Sequence, residues 1–360
     1  MPNTLNSERR AQFLNLMAES DWESLLLYGH SWRKDFFRSL INFNFFGPHA
    51  VVALTRSNEL SVVVSHPWDH ETLKNQIDAA VSWDADFSMA IRRLSSGKTA
   101  VAGREFMEAR FVEALGITPV SASLQVEELR SVKDSEEIAC IRRACDLADR
   151  GYKYFAQVIE PGMAEYELVA EVEGFLKSNG AEDNFMLIAS GGTEVTGMKP
   201  PTERRFQLGD QVTTELTPQV GGYYAQICRT LVLGEPSPEQ RRAFDIFFEA
   251  QKAGEDLLKP GVDIADVARV QNDVFRKYGY GEYTGPKYTR VRGHNLGLHP
   301  DENPYVLEDV HYTVKEGMVI IAHPNTYLPL SGYMVFGDTL LVTANGCEPM
   351  NKAERKLFQR

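Results

Sequence analysis

EPGMAEYELVAEVEGFLKSNG, residues Glu160 to Gly180, is echoed by KPGVDIADVARVQNDVFRKYG, Lys259 to Gly279. Pro161 and Pro260, Gly162 and Gly261, and Gly180 and Gly279 all stand 99 positions apart. Each copy reads as a Pro-Gly turn, an amphipathic helix and a terminating glycine, because proline pre-sets a helix start and glycine tolerates the left-handed conformation that ends one. A strand-rich block follows each copy: NFMLIAS, DQVTTELTP and YYAQICRTLVLG after the first, MVIIAHP and DTLLVTA after the second. Such a duplication predicts two helix-plus-strand halves set against each other, with a shared cleft between them.

Upstream of the first copy, VKDSEEIACIRRACDLADRGYKYFAQVI begins at Val132. Ser135 reads as its cap, Glu136 and Glu137 as acidic first-turn residues, and apolar positions follow at helical spacing. A long helix therefore opens a second domain near residue 130. Before it, HAVVALT (49–55), ELSVVVS (59–65) and TAVAG (99–103) alternate with helical stretches. The fold class is α/β (α+β), with a small domain over 1–128 and a larger one over 129–360, as a chain of 360 residues favours. The first thirty residues read as an amphipathic helix carrying charges throughout, without the apolar core and cleavage site of a signal peptide.

Hydrophobic residues at 43% and charged residues at 24% exclude disorder, and no apolar run reaches the ~18–20 residues of a membrane span. A net charge of −12 with a pI near 5.3 argues against nucleic acid or an anionic membrane, since both require clustered Lys and Arg. Cys140, Cys145, Cys228 and Cys347 form no CxxC pair and no disulfide scaffold. The expectation is a cytoplasmic protein whose partner is a small molecule or another subunit.

Chemistry concentrates in the second domain. Glu215 and Gln226 flank a turn at Gly221 and Gly222, which predicts one shared side of a hairpin. His323 ends the apolar strand GMVIIAHPN, and Gly337 and Asp338 begin the next. RGHNLGLHPDENP (292–304) adds His294 and His299, each readable as ligand, base or spacer. The bland readings are a solvated strand residue for Glu215, a strand cap for His323 and a loop residue for His299.

Taken together, RSVKDSEEIACIRRAC, PPTERRFQLGD, GYYAQICRT, GHNLG, EGMVIIAHP and GDTLLVTANGCE resemble the pita-bread family of methionine aminopeptidases, aminopeptidase P, prolidase and creatinase. The resemblance implies a pita-bread domain behind a creatinase-type accessory domain, in a homodimer whose accessory domain reaches the partner's cleft. It also implies where ligands fall. The two Asp, one His and two Glu of the dinuclear members fall on Glu215, Gln226, His294, His323 and Gly337, and the creatinase catalytic histidine falls on Met198. The second, substrate-contacting histidine falls on Asp301, with His299 as its alternative, and Asp301 and Glu302 favour a cationic amine. The missing side chain at Gly337 reads as room for substrate.

Carboxylates lost at Gln226 and Gly337 argue against two divalent ions, leaving Glu215, His294 and His323 as a 2-His-1-carboxylate set. The leading expectation is one divalent metal ion, Fe(II) first, in an oxidative enzyme acting on an amino-acid-like substrate, with Gln226 as a fourth ligand or a hydrogen-bonding neighbour. A metal-free hydrolase or lyase stands beside it, cleaving a C–N bond with His294 and His323 as acid and base and Glu215 orienting one of them. A non-catalytic binding protein is the third reading. From the first domain, Arg33, with Lys34 and Arg38, and His49 are nominated as substrate contacts, against the ordinary reading of such basic residues as a solvated face.

Overall fold

Apolar runs decide the first of two compact units, Met1–Arg130 and Ser131–Arg360. The computed structural model describes residues 4–95 and 97–360. In the first unit β1 (Ser24–His30), β2 (His49–Thr55), β3 (Leu60–Val64), β4 (Ala80–Trp83), β5 (Thr99–Ala102) and β6 (Val120–Ser121) form a sheet ordered β4-β3-β2-β1-β5-β6. The expected N-terminal helix is shorter than its sequence suggested. It is α1 (Ser7–Glu19), capped by the Asn6 side chain accepting from Arg9 N–H at 2.9 Å, and SLLLYGH leaves it to become the strand β1. The reason is burial: Leu25 and Leu27 enter one core with Phe13 and Phe37, while Leu26 and Tyr28 enter another with Phe111. A run covered on both faces suits a central strand, whereas a surface helix keeps one wet face.

The second unit opens with α2 (Ser135–Val158). Its cap is Asp134 rather than Ser135: the Asp134 carboxylate accepts from Glu137 N–H at 2.9 Å, and Glu137 reaches back to Asp134 N–H at 2.8 Å. Two helices then display the duplication. α3 (Glu165–Ser178) and α5 (Ile264–Lys277) are each 14 residues long, and the glycines of their entry turns, Gly162 and Gly261, take φ of 90° and 88°. Between them lies α4 (Pro238–Leu257).

The strands that carry the site are β7 (Asp183–Gly191), β8 (Gln211–Val220), β9 (Tyr223–Tyr224), β10 (Ile227–Val232), β11 (Gly293–Asn295), β12 (Glu302–Tyr305), β13 (Val319–Ala322), β14 (Asn325–Leu328), β15 (Gly332–Val335) and β16 (Gly337–Thr343). Their main sheet runs β12-β11-β13-β16-β10-β8-β7, and β14 pairs with β15 apart from it. On β8, Val212 and Leu216 pack with Leu168 and Val172 of α3 and Leu147 and Ala148 of α2. Each such buried leucine or valine contributes about 1.5–3 kcal/mol. The two-residue period of a strand then turns Glu215 to the opposite face. Among the described residues, no helix is long and apolar enough to cross a membrane.

Candidate functional site

Sheet register draws the candidate residues into one row. Glu215 of β8 pairs with Cys228 of β10, Cys228 pairs with Gly337 of β16, and Ala322 of β13 pairs with Asp338. One residue further on, His323 leaves β13 beside Gly337. His294 of β11 pairs with Ile321, two residues before His323, so the two imidazoles share a face, their centroids 5.2 Å apart and their planes at 68°. Glu215, His294 and His323 are all buried. Gln226 joins them through a residue the sequence reading passed over: its amide donates to Cys228 Sγ at 3.5 Å, and Cys228 stands opposite Glu215 in the β8–β10 register. Alternation was the available signal, since Cys228 stands two residues beyond Gln226.

The two histidines have opposite surroundings. His294 Nδ1 lies 2.9 Å from the Asn295 carbonyl, and Nε2 lies 3.0 Å from Asp301 Oδ1. A carbonyl and a carboxylate only accept, so both nitrogens carry a proton and the ring is an imidazolium. Burial alone would lower its pKa, but the hydrogen bond and charge of Asp301, aided by the Asn295 carbonyl, hold it above the ordinary value. His323 is the reverse. Among the described residues neither Nδ1 nor Nε2 has a hydrogen-bond partner, and burial, reinforced by the positive His294, pushes its pKa down to about 3. Glu215 is raised to about 7, chiefly by burial and against the pull of His294.

Several expectations need correction. Gly337 leaves no room for substrate: a Cβ there would lie 2.5 Å from the Ala322 carbonyl oxygen, 2.5 Å from His323 Cβ and 2.8 Å from His323 Cα. The space of the absent side chain is filled by the turn that presents His323. Asp301 is committed to His294 instead of awaiting an amine, and Glu302 is committed to Lys133 at 3.1 Å. The Nδ1 of His299 is held by the Asp301 backbone, 2.8 Å from the carbonyl oxygen and 3.2 Å from the amide. Met198 packs against the cluster of Tyr223, Leu296 and Leu298.

In the first unit, Arg33 and His49 are both held by neighbours within that unit. Arg33 Nε donates to Asp35 at 3.0 Å with its guanidinium 4.3 Å over Phe106. His49 Nδ1 lies 2.8 Å from the Tyr28 hydroxyl, and Nε2 lies 3.2 Å from Glu108.

Among the described residues, no cluster of three or more His, Cys, Asp or Glu side chains is disposed to hold a metal ion. Both nitrogens of His294 are already hydrogen-bonded, and position 337 has no side chain to offer. Glu215 and His323 remain as ligand-competent side chains, with the Gln226 amide bonded to Cys228 across the sheet from Glu215.

Residues 139–344 match the metallopeptidase family M24. An Xaa-Pro dipeptidase of Pyrococcus furiosus is 34% identical over 235 residues, which span 65% of this chain and 66% of that protein, just under two thirds of its length. The fold superposes on a prolidase from Pyrococcus horikoshii with a TM-score of 0.84 at 25% identity, covering 98% of this chain and 100% of that one. An X-Pro aminopeptidase from Thermotoga maritima shares the fold at a TM-score of 0.85 and 22% identity, covering 98% and 99% of the two chains. These relatives overturn the expectation of an oxidative single-iron enzyme standing outside ordinary metallopeptidase chemistry, for they are named for dipeptide and peptide hydrolysis. The chain belongs to the M24 metallopeptidase family.

Proposed function

We propose that this protein is a hydrolase that cleaves the C–N bond of a small dipeptide-like amide, in the manner named for its Xaa-Pro dipeptidase relatives. One observation carries the reading: at the family's ligand position, His323 keeps two buried nitrogens without hydrogen-bond partners among the described residues, in the row of strands that begins at the buried carboxyl of Glu215. Unsatisfied buried polar atoms are costly, so such a pair is a site prepared for something that binds.

The divalent ion expected of an M24 enzyme would be held by Glu215 and His323, with the Gln226 amide oxygen as a further donor. When bound, such an ion polarises the scissile carbonyl and makes water a better nucleophile. The chain's own groups complete the environment. His294, fixed as an imidazolium by Asp301, keeps a positive charge in the pocket and favours the negative charge that develops on the carbonyl oxygen during attack. Glu215, with its pKa near 7, must surrender a proton before it serves as an anionic donor, so ion affinity is expected to rise as pH increases through neutrality.

The test is hydrolysis of a dipeptide panel, including Xaa-Pro members, by protein stripped with chelator and reloaded with Mn(II), Co(II) or Zn(II). Ion-dependent release of amino acids, reduced about 100-fold or more by His323→Ala, is the expected result. A folded protein that hydrolyses no member under any of these conditions would sink the proposal.

A further inference from the structure

We infer that Lys133 is a positioning residue of this site, acting through Glu302 and Asn295 to set the turn that brings Asp301 to His294. The inference rests on the pocket being the working site proposed above.

Lys133 lies just before α2 and is 5% exposed. Its ammonium donates to the Ser131 carbonyl at 3.2 Å, to Asn295 Oδ1 at 3.1 Å and to Glu302 Oε2 at 3.1 Å. Such acceptors satisfy the N–H groups of a buried ammonium, the condition under which it is tolerated. Two of those acceptors flank the ion pair directly, Asn295 following His294 and Glu302 following Asp301. The other oxygen of Glu302 accepts from His299 N–H at 3.2 Å, and Asn295 Nδ2 donates to the Asn303 carbonyl at 3.1 Å. Lys133 thus ties together the two limbs of the β11–β12 connection on either side of the turn at 297–301. That connection runs close against the pair: a Cβ at Gly297 would lie 3.0 Å from both Lys133 Cε and Glu302 Oε2. None of these contacts touches His294 itself, so the influence of Lys133 on the imidazole passes through the placement of Asp301.

Two readouts test this on the full chain. With ¹⁵N-labelled histidine, the His294 Nε2 proton should give a slowly exchanging NMR signal that is lost in Asp301→Asn. Lys133→Met and Glu302→Gln should shift or broaden the same signal, and Lys133→Arg should restore most of it. An unchanged signal in Lys133→Met overturns the inference, and if that variant fails to fold, Glu302→Gln carries the same decision. In the hydrolysis assay, Lys133→Met should lower kcat about 10- to 100-fold with little change in KM. It should cause almost no further loss in an Asp301→Asn background, because both changes remove one device. Equal losses in both backgrounds would mark Lys133 as a structural residue only. If no dipeptide is turned over, the proposed function has failed and the NMR signal alone judges the positioning role.

Discussion

The β11 segment around His294 and the end of β13 at His323 supply the same side chain to the same face of one sheet, with ring centroids 5.2 Å apart, yet they hold it in opposite states. At β11 the chain turns back so that Asp301 and the Asn295 carbonyl occupy both nitrogens. At β13 the strand ends into Pro324, and among the described residues neither nitrogen of the imidazole has a hydrogen-bond partner. The pair shows that a histidine's role is decided by what the following few residues do. One becomes a fixed charge, the other an open donor.

The sharpest way to break this contrast is acid. His323 has a folded pKa of about 3 against an ordinary 6.5, so between those values the unfolded chain binds a proton that the folded chain refuses. Its contribution to stability therefore declines as pH falls from about 6.5 toward 3. Glu215 works in the other direction, because its raised pKa lets the folded state keep a proton that the unfolded chain releases between 4.5 and about 7. That contribution is common to wild type and a His323→Gln variant and cancels when they are compared. In chelator-treated protein, moving from pH 7.5 to 5 should cost the wild type about 2 kcal/mol more than the variant, read from urea midpoints. Equal acid losses would mean that His323 is not held neutral.

Next in size is the turn itself. Gly337→Ala adds one carbon where three atoms already lie within 2.8 Å. The expected cost is about 1–3 kcal/mol, since backbone must move to admit the methyl group. A variant of wild-type stability would mean that position 337 has room, and with it room for a side chain reaching the pocket.

The duplication was legible because its carriers are local: prolines and glycines at fixed spacing dictate turns and caps whatever surrounds them. Glu215, Gln226, His294 and His323 could be named together because the resemblance to the pita-bread family places its ligand positions on them. Their electrostatic states were not legible. Nothing in GHNLGLHPDE indicates that Asp301 folds back onto His294 while His299 settles on the Asp301 backbone, because that choice depends on a turn braced from Lys133, more than 160 residues away in sequence. The filled space at Gly337 was misread for a related reason. A missing side chain appears in a sequence as vacancy, and only packing tells whether a neighbouring strand has moved in. SLLLYGH was likewise absorbed into a helix because a short apolar run has no period of its own, and burial on both faces is a tertiary property.

The smallest effect probes the paired histidine. Asp301→Asn keeps the shape of the turn but removes the carboxylate from His294 Nε2. His294 has a raised pKa, so its share of stability is complete below the unfolded value of 6.5 and fades as pH climbs through the folded value. Asp301 has a lowered pKa, so its share is complete above 3.8 and fades as pH falls through the folded value. The pair should therefore stabilise most between about pH 4 and 6.5. The Asp301 side chain is 49% exposed, and solvent screening reduces the expected difference between wild type and variant to about 1 kcal/mol at pH 5.5. That difference should shrink as pH rises through the folded pKa of His294, where the imidazolium is lost. A gap that stays constant while the imidazole titrates would show that Asp301 supports the turn by shape alone, which would dissolve the distinction between the two histidines from its other side.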